Sequence, residues 1–315
     1  MDTLDVRIFC EMGFKYHPPN SAADRRPSFL TVAKSLGVDV RTVKARVARF
    51  EEDGFVVRYQ LLPNYNALGL SCSTYAFRFD DPARKKEAEQ KAKTVPEVSQ
   101  VMEMVNTLLA TVLFKEPEGL RSAVERLTEL CRGDEVIKAY DTNMPFVASR
   151  LNSTDWRIMK SLRNDALKPS EEIARELGVT RRAVNYRLER LVESRAFFVV
   201  PMLDMRKVTN IIFYTLVFFV DESLDRGEVV DRITKAFGEK SFYRIVNSTG
   251  VIVFGMFGHG IGEPEANYRK AAELRGVSRA ILEYTLGIYD CPAVIDDAIE
   301  EKIAESKKRR PDPVS

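Results

Sequence analysis

Two segments of this chain carry arginine, lysine, asparagine and tyrosine side chains at helical spacing. They occupy residues 39–50 and 180–191, and they align without a gap at an offset of 141 residues. Guanidinium and amide groups on one face of a helix can form paired hydrogen bonds with planar acceptors, among them the edges of guanine and adenine. The chemistry that these residues indicate is recognition of double-stranded DNA.

The first segment has a regular inward face. Val43, Val47 and Phe50 recur at positions i, i+4 and i+7, which is the spacing of residues that pack into a core. The opposite face and its flanks supply the candidate DNA contacts Arg41, Thr42, Lys44, Ala45, Arg46 and Arg49. Arg46 lies nearer the core edge, so the pattern indicates a structural role there as strongly as a phosphate contact.

The second segment repeats the inward pattern with Val184, Leu188 and Leu191. Its candidate DNA contacts are Arg181, Arg182, Asn185, Tyr186, Arg187 and Arg190. Arg187 has the same two interpretations as Arg46. An asparagine can pair with adenine and an arginine with guanine. Because the two outward sets differ, we expect two unlike half-sites rather than a palindrome.

The residues around the first segment predict a helix-turn-helix unit. A helix is predicted over residues 4–12, Ser28 is the predicted cap of a second helix, and Asp39 is the predicted cap of the third. Gly37 fits just past the end of the second helix. A strand pair that begins with residues 55–60 would form a wing.

The second copy repeats this order. Its predicted helix caps are Ser153 or Thr154, then Ser170, then Thr180. Gly178 fits the end of its second helix, as Gly37 does in the first copy. The copies differ mainly by a longer loop in the first, at residues 17–27.

Each helical unit precedes a strand–helix–strand–strand–helix–strand pattern. The predicted bounds are 73–79, 82–94, 98–105, 109–115, 117–131 and 136–142 in the first copy. In the second copy they are 210–220, 223–238, 241–247, 251–257, 263–275 and 278–288. This order is the ferredoxin-like arrangement. The predicted fold class is therefore α+β, a tandem repeat of a winged helix-turn-helix domain and a ferredoxin-like βαββαβ domain.

Five regions follow from these patterns. They are a first winged helix-turn-helix domain at 1–66, a first ferredoxin-like domain at 67–148, a second winged domain at 149–206, a second ferredoxin-like domain at 207–293, and a tail at 294–315. The tail combines a short acidic helix at 295–303 with a basic run at 307–311, which we expect to be mobile.

Composition narrows the class of protein. A net charge of +2 excludes a strongly basic, histone-like binder but allows local basic faces. The most apolar run, residues 211–220, is too short to span a bilayer as a helix, and the N-terminus lacks the features of a signal peptide. The four scattered cysteines and two histidines suggest neither zinc nor a His-rich metal site. We expect a cytoplasmic, nucleoid-associated protein without a metal, a cofactor, catalytic residues or a membrane partner.

Several of these motifs together resemble the Lrp/AsnC, or feast/famine, family of transcription regulators. In the first copy the resemblance is carried by Leu36-Gly37-Val38-Asp39, by RVARFEEDGFV at 46–56 and by Val95-Pro96-Glu97-Val98. In the second copy it is carried by Leu177-Gly178-Val179-Thr180 and Arg187-Leu188-Glu189-Arg190-Leu191. The resemblance implies a DNA-binding regulator whose two halves form an intramolecular version of the family's dimer. It also implies homo-oligomers that form through the ferredoxin-like sheets.

The same resemblance implies where an effector would bind. Family members that sense amino acids commonly have a Gly-Asp turn between the second and third strands of the βαββαβ domain. Here those turns contain Asn106 and Thr107 in the first copy and Asn247, Ser248, Thr249 and Gly250 in the second. Neither turn supplies the acidic group for an α-amino group. We therefore expect no amino-acid effector of that type, and we predict these turns as the first place to look for another small molecule.

Two other functions fit the same architecture. Siroheme decarboxylases resemble this two-module fold, and they carry a stretch with histidine and tyrosine near the second and third strands. Residues 102–106 and 243–247 contain no histidine, which favours the regulator. The third possibility is a chromatin-like protein that coats DNA with little sequence preference, against which the near-neutral charge argues.

Overall fold

The computed structural model describes residues 1–12, 28–221, 223–238, 241–246 and 250–309. The expected long loop at 17–27, the turn residues Asn247, Ser248 and Thr249, and the end of the basic tail lie outside these residues. The helices and strands below are those of the described part of the chain.

The first half follows the predicted order. Its elements are α1 (Thr3–Met12), α2 (Phe29–Leu36), α3 (Val40–Glu52), β1 (Val56–Pro63), α4 (Tyr65–Leu68), β2 (Ser71–Arg78), α5 (Pro82–Ala92), β3 (Val98–Met104), β4 (Thr107–Phe114), α6 (Pro117–Cys131) and β5 (Glu135–Asp141). The ferredoxin-like strands and helices lie close to the bounds that the sequence predicts.

The second half repeats this order and adds a terminal helix. Its elements are α7 (Ser153–Ser161), α8 (Ser170–Leu177), α9 (Arg181–Glu193), β6 (Phe197–Leu203), β7 (Ile212–Val220), α10 (Arg226–Phe237), β8 (Ser241–Val246), β9 (Val251–Gly258), α11 (Gly262–Ala272), β10 (Val277–Asp290) and α12 (Ala293–Arg309). The α+β fold with two helix-turn-helix and βαββαβ units is confirmed.

Some of the predicted helix caps are correct. The side chain of Asp39 accepts a hydrogen bond from the backbone N–H of Arg41, and that of Thr180 accepts one from Ala183. Gly37 and Gly178 both adopt left-handed backbone angles at the ends of α2 and α8, a conformation that glycine adopts without strain.

Ser28 occupies the N-cap position of α2, as predicted, although its side chain makes no capping hydrogen bond. The caps predicted for α7 and α8 are wrong. Asn152, rather than Ser153 or Thr154, caps α7, because its amide and the Asp155 carboxylate form a reciprocal capping box. Ser170 lies within the first turn of α8, which leaves the cap position to the preceding proline.

The predicted wing strands pair with each other instead of forming a strand pair inside each unit. In the structure β1 and β6 form a two-stranded antiparallel sheet, here named the ribbon. Tyr59 lies opposite Pro201, and Gln60 lies opposite Val200. At the offset of 141 residues, Pro201 is the counterpart of Gln60 and Val200 is the counterpart of Tyr59. The ribbon therefore has a local two-fold axis that relates the two halves.

The remaining strands form one eight-stranded sheet that does not share this symmetry. Its order is β5-β2-β4-β3-β10-β7-β9-β8, so the edge of the first ferredoxin-like sheet joins the edge of the second. The long strand β10 pairs with β7 up to Tyr284, and after an irregularity at Thr285 and Gly287 it pairs with β3. The equivalent stretch after β5, residues 142–148, forms no strand.

Three cores stabilise this arrangement. One lies between the first sheet and helices α5 and α6, and a second lies between the other sheet and helices α10 and α11. The largest core covers the opposite faces of both sheets, here named the inner face, and includes buried residues of both helix-turn-helix units and the ribbon. Because this core contains residues from both halves, burial of its apolar surface couples the halves to each other.

The terminal helix differs from the prediction. The acidic segment at 295–303 belongs to a longer helix, α12, which includes the first residues of the basic run. Ile295, Ile299 and Ile303 are buried in the largest core. Outward-facing Glu300 pairs with Lys160 of α7, so α12 contacts the second helix-turn-helix unit.

Candidate nucleic-acid interface

The recognition helix of the first unit, α3, separates its inward and outward residues as predicted. Val43, Val47 and Phe50 are buried. On the other side Lys44, Ala45 and Ala48 are exposed, Thr42 is half-buried, and the side chain of Arg41 is 90% exposed. The small alanines allow close approach of a nucleic-acid groove, while Arg41 and Lys44 supply charge at its rim.

Arg46 and Arg49, the remaining candidates on α3, are held by Asp5 of α1 and by Asp2, which directly precedes α1. The Arg46 guanidinium lies 2.7 Å from Asp5 Oδ1 and 2.6 Å from Asp2 Oδ1, and Arg49 lies 2.6 Å from Asp5 Oδ2. The hydrogen bond from Arg46 lowers the pKa of Asp2 to about 2. Since Arg46 is only 24% exposed, the ion pair fixes α1 against α3, whereas Arg49 keeps about half of its side chain in water.

The recognition helix of the second unit, α9, has a different outward surface. Arg181, Arg182, Asn185, Tyr186 and Glu189 surround one shallow depression. Tyr186 is 60% exposed, and the Arg190 guanidinium lies 6.0 Å from the centre of its ring. An amide, a phenol and two arginines in one patch can donate to bases and phosphates.

Arg187 repeats the arrangement of Arg46. Its guanidinium lies 3.0 Å from Asp155 Oδ1 and 3.0 Å from Asn152 Oδ1 in α7. Asp155 is buried and Arg187 is 24% exposed. In both copies the arginine at this position of the third helix therefore bonds to an aspartate of the first helix.

The ribbon sets the relation between the two recognition helices. Helix α3 ends four residues before β1, and α9 ends four residues before β6. Because the strands are antiparallel and paired over about seven residues, the two helices leave opposite ends of a ribbon roughly 24 Å long. The structure thus presents two recognition surfaces on one chain.

The predicted effector turns are occupied by structural hydrogen bonds in the first copy. The Asn106 carbonyl accepts a bond from the Phe79 N–H, and the Thr107 hydroxyl donates to Glu283 of β10 at 3.0 Å. Burial raises the pKa of Glu283. In the second copy only Gly250 is described, and its carbonyl accepts from Val220.

Sequence reasoning missed a partly enclosed cavity under the ribbon. It contains the side chains of Gln60 and Asp290, whose amide Nε2 and carboxylate Oδ2 lie 3.1 Å apart. Gln60 is 2% exposed. A glutamine next to the apolar run Leu61-Leu62 is the signal in the sequence that could have indicated a polar site there.

The described residues provide no further type of site. Among them, no group of three or more His, Cys, Asp or Glu side chains is placed to hold a metal ion. No helix in this part of the chain combines the length and apolar character needed to span a membrane. The loop at 258–263 joins β9 to α11, and there the His259 N–H donates to the Glu263 carboxylate at 2.7 Å.

Comparison with known proteins agrees with the helix-turn-helix geometry. The profile of the AsnC-type helix-turn-helix domain matches residues 151–192, which contain α7, α8 and most of α9. An uncharacterized HTH-type transcriptional regulator of Pyrococcus abyssi is 34% identical over 136 residues, which cover 41% of this chain and 85% of the relative. The relative therefore matches a stretch about as long as one of the two units.

Solved structures match the two-unit arrangement. The siroheme decarboxylase NirDL has a TM-score of 0.56 at 15% identity, over 88% of this chain and 93% of its own. NirDL in co-complex with an iron-uroporphyrin III analogue has a TM-score of 0.53, also at 15% identity, over 96% and 98% of the two chains. At this identity the match shows a shared fold.

The fold and the two recognition helices define a helix-turn-helix protein built from two Lrp-like units. Together with the relatives, they place this chain in the Lrp/AsnC family of HTH-type transcriptional regulators.

Proposed function

We propose that this protein is a sequence-specific transcription regulator that binds an asymmetric operator as an intramolecular pseudo-dimer. The observation that carries the proposal is the contrast between the two faces of α3 and α9. Their inward residues are buried in both copies, whereas the outward residues differ at equivalent positions. Exposed Ala45 corresponds to exposed Tyr186, and exposed Lys44 corresponds to half-buried Asn185.

Charge on these faces supports DNA binding. The exposed basic groups are Arg41, Lys44, Arg49, Arg181, Arg182 and Arg190. Contacts between such groups and phosphates release counterions, so binding weakens as salt concentration rises. Arg46 and Arg187 are occupied by aspartates, and we assign them to positioning the recognition helices rather than to direct base contact.

The test compares the two recognition helices on one bound site. Arg41→Ala should relax base preference on one side of a footprint, and Arg182→Ala should relax it on the other. Each change should cost about 1–3 kcal/mol of discrimination at the affected position. Arg121→Ala, on the exposed face of α6, is the matched control and should leave both sides unchanged.

Two results would contradict the proposal. Identical changes on both sides would indicate a symmetric site bound by two chains. If the full chain shows no salt-sensitive binding to DNA, the proposed function as a DNA-binding regulator is wrong.

The whole-chain fold match makes an enzyme the second candidate, and we propose that this chain is not one. Residues 102–106 and 243–247 lack the histidine expected for tetrapyrrole chemistry. Titration with siroheme should give no stoichiometric change in visible absorbance, and a saturable one would favour the enzyme.

A DNA-coating protein is distinguished by the same footprints. A regulator protects one defined sequence above a weaker background, whereas a coating protein protects all sequences equally. We expect the first result, because the two outward faces contain asparagine and arginine side chains suited to base edges.

The proposal includes self-association through the sheets. β5 and β8 form the outer edges of the eight-stranded sheet, and Ile137 and Val246 on them are 45% and 43% exposed. Unpaired strand edges can accept a further strand. Light scattering should report an oligomer whose mass falls in Ile137→Lys, and a monomeric wild-type chain would contradict this part.

A further inference from the structure

A partly enclosed cavity, here named the ribbon cavity, lies between the ribbon and the inner face of the eight-stranded sheet. Its volume is about 110 Å³. Strands of both halves line it, with Leu62 of β1 and Val200 of β6 on the ribbon side and Met102 and Ile288 on the sheet side. At ~30 Å³ for each water in the liquid, this is room for about four waters or a short organic chain.

One wall of the cavity is polar although it is buried. Thr74 is fully buried and its hydroxyl lies 3.1 Å from that of Thr111. Ser99, 3% exposed, donates to the Thr111 carbonyl at 3.3 Å. Gln60 donates to Asp290 at 3.1 Å. These groups can bond a ligand that carries hydrogen-bond donors.

The charge of the lining is one-sided. Asp290 contributes the carboxylate, and among the described residues that line the cavity none is lysine, arginine or histidine. Arg58, which is outside this lining, is exposed and reaches the Oε1 of Gln60 at 3.4 Å. Arg163, also outside the lining, bonds to the Leu61 carbonyl and to Asp296. Burial raises the pKa of the Cys72 thiol in the wall to about 12, which keeps the thiol neutral at physiological pH.

The free energy of binding in this cavity would differ between a negatively charged and a positively charged ligand group. A ligand carboxylate would be desolvated without a cationic partner, at a large cost. An ammonium group would bond to the Asp290 carboxylate, and charge-assisted bonds of this kind are among the stronger ones. The lining thus favours a cation over an anion, and it offers a zwitterionic amino acid no partner for its carboxylate.

We propose that the ribbon cavity binds a small aliphatic ammonium compound, with its charge on Asp290 and its chain against Leu62, Met102 and Ile288. This inference rests on the proposed function, because it makes the compound an effector of DNA binding. The occupant would contact β1 and β6, the strands that follow the two recognition helices. A ligand that binds one conformation of the ribbon more tightly than another would favour that conformation. It would change the DNA affinity to the extent that DNA binding also favours one of these conformations.

The test uses the full chain without DNA and three probes of similar size: n-butylammonium chloride, sodium butyrate and n-butanol. Calorimetry at constant ionic strength should detect n-butylammonium and neither of the others. Asp290→Asn should weaken that binding about 10- to 100-fold, the equivalent of one charged hydrogen bond. Asp297→Asn, on the exposed side of α12, is the matched control and should bind as the wild type does.

A crystal of the wild-type chain soaked in n-butylammonium keeps the test independent of any variant that folds poorly. Density for the amine within hydrogen-bond distance of Asp290 supports the proposal. Density for water only, an amine bound elsewhere, or equal affinity for butyrate overturns it. DNA footprinting at several salt concentrations, without the amine, tests the proposed function separately. The proposal of DNA binding and the proposal of amine binding can therefore fail independently.

Discussion

The two helix-turn-helix units share a plan but are held in place differently. In the first, Phe9 of α1 packs edge-on against Phe257 of β9, with ring centres 5.3 Å apart. In the second, Arg163 donates to the Leu61 carbonyl of β1 at 3.0 Å and to Asp296 of α12 at 3.0 Å. The first unit thus packs on a strand of the second half, and the second unit packs on a strand of the first half.

These reciprocal contacts explain how the two units can share one fold while the outward faces of α3 and α9 differ. Each unit is stabilised by residues outside itself, so the inward faces of α3 and α9 are constrained by the shared core. The outward faces meet no such constraint. Divergence of base-reading residues is therefore compatible with an unchanged fold.

The caps of the first helices supply a second difference. Asp2 directly precedes α1 as Asn152 directly precedes α7, and each bonds to an aspartate three residues later. The first cap carries a charge and pairs with Arg46, while the second is a neutral amide next to Arg187. The two caps therefore have the same hydrogen-bond geometry, but only the stability of the first depends on the protonation of its cap residue.

The largest predicted effect comes from breaking the contact of the first unit with the other half. Phe9→Ala removes a buried ring that packs against Phe50, Phe55 and Phe257. It should cost about 3–5 kcal/mol of the free energy of unfolding. Because both halves of the chain share the largest core, the variant should still denature in a single transition. Leu30→Ala changes an exposed side chain of α2 and should cost about 0.5 kcal/mol or less. Two separate transitions would show that the units are independent.

The next effect sharpens the comparison of the arginine anchors. Asp155→Ala removes the buried carboxylate that pairs with Arg187 and also removes half of the capping box. The change should lower the free energy of unfolding by about 3 kcal/mol. Asp5→Ala should cost less, because Arg46 retains Asp2. Chemical denaturation of both variants gives the comparison. An equal or larger loss in Asp5→Ala would contradict this ranking.

A smaller effect concerns the outward faces alone. Tyr186→Ala gives α9 the side chain that α3 has at Ala45, and it should change base preference by about 1–3 kcal/mol at one half-site only. Ala45→Tyr should alter the other half-site. Binding-site selection with each variant measures both, and a change at both half-sites in either variant would argue against separate readout.

The smallest effect tests the two caps by titration. The pKa of Asp2, about 2, lies below its ordinary value of 3.8 because Arg46 bonds to the charged form. Its contribution to stability is therefore complete above pH ~3.8 and is lost as the pH falls through about 2. Asp2→Asn should remove this dependence. Carboxyl carbon NMR shifts measure the titration, and a midpoint near 3.8 would contradict the pairing.

Local patterns in the sequence were sufficient for much of the fold. Asp39 and Thr180 cap their helices, and Val43, Val47 and Phe50 are buried as their spacing predicts, because these features depend on neighbours within one turn. The pairing of β1 with β6 was not predictable in this way. A strand edge offers the same backbone hydrogen bonds to any partner, and only the packing of the whole chain selects one.

The sequence alone determined that this protein has two copies of one unit, with buried faces in step and exposed faces that differ. The tertiary structure decided what each charged residue does. Arg46 and Arg41 lie on one helix with the same chemistry. Arg46 bonds to Asp5 of α1 and to Asp2, which directly precedes α1, whereas Arg41 is 90% exposed and pairs with the neighbouring Asp39 at 3.3 Å. Strands β1 and β6, which come from the two halves of the chain, also meet in the ribbon, and Gln60 of β1 bonds to Asp290 of β10. Such partners are set by three-dimensional proximity, which spacing along the chain does not encode.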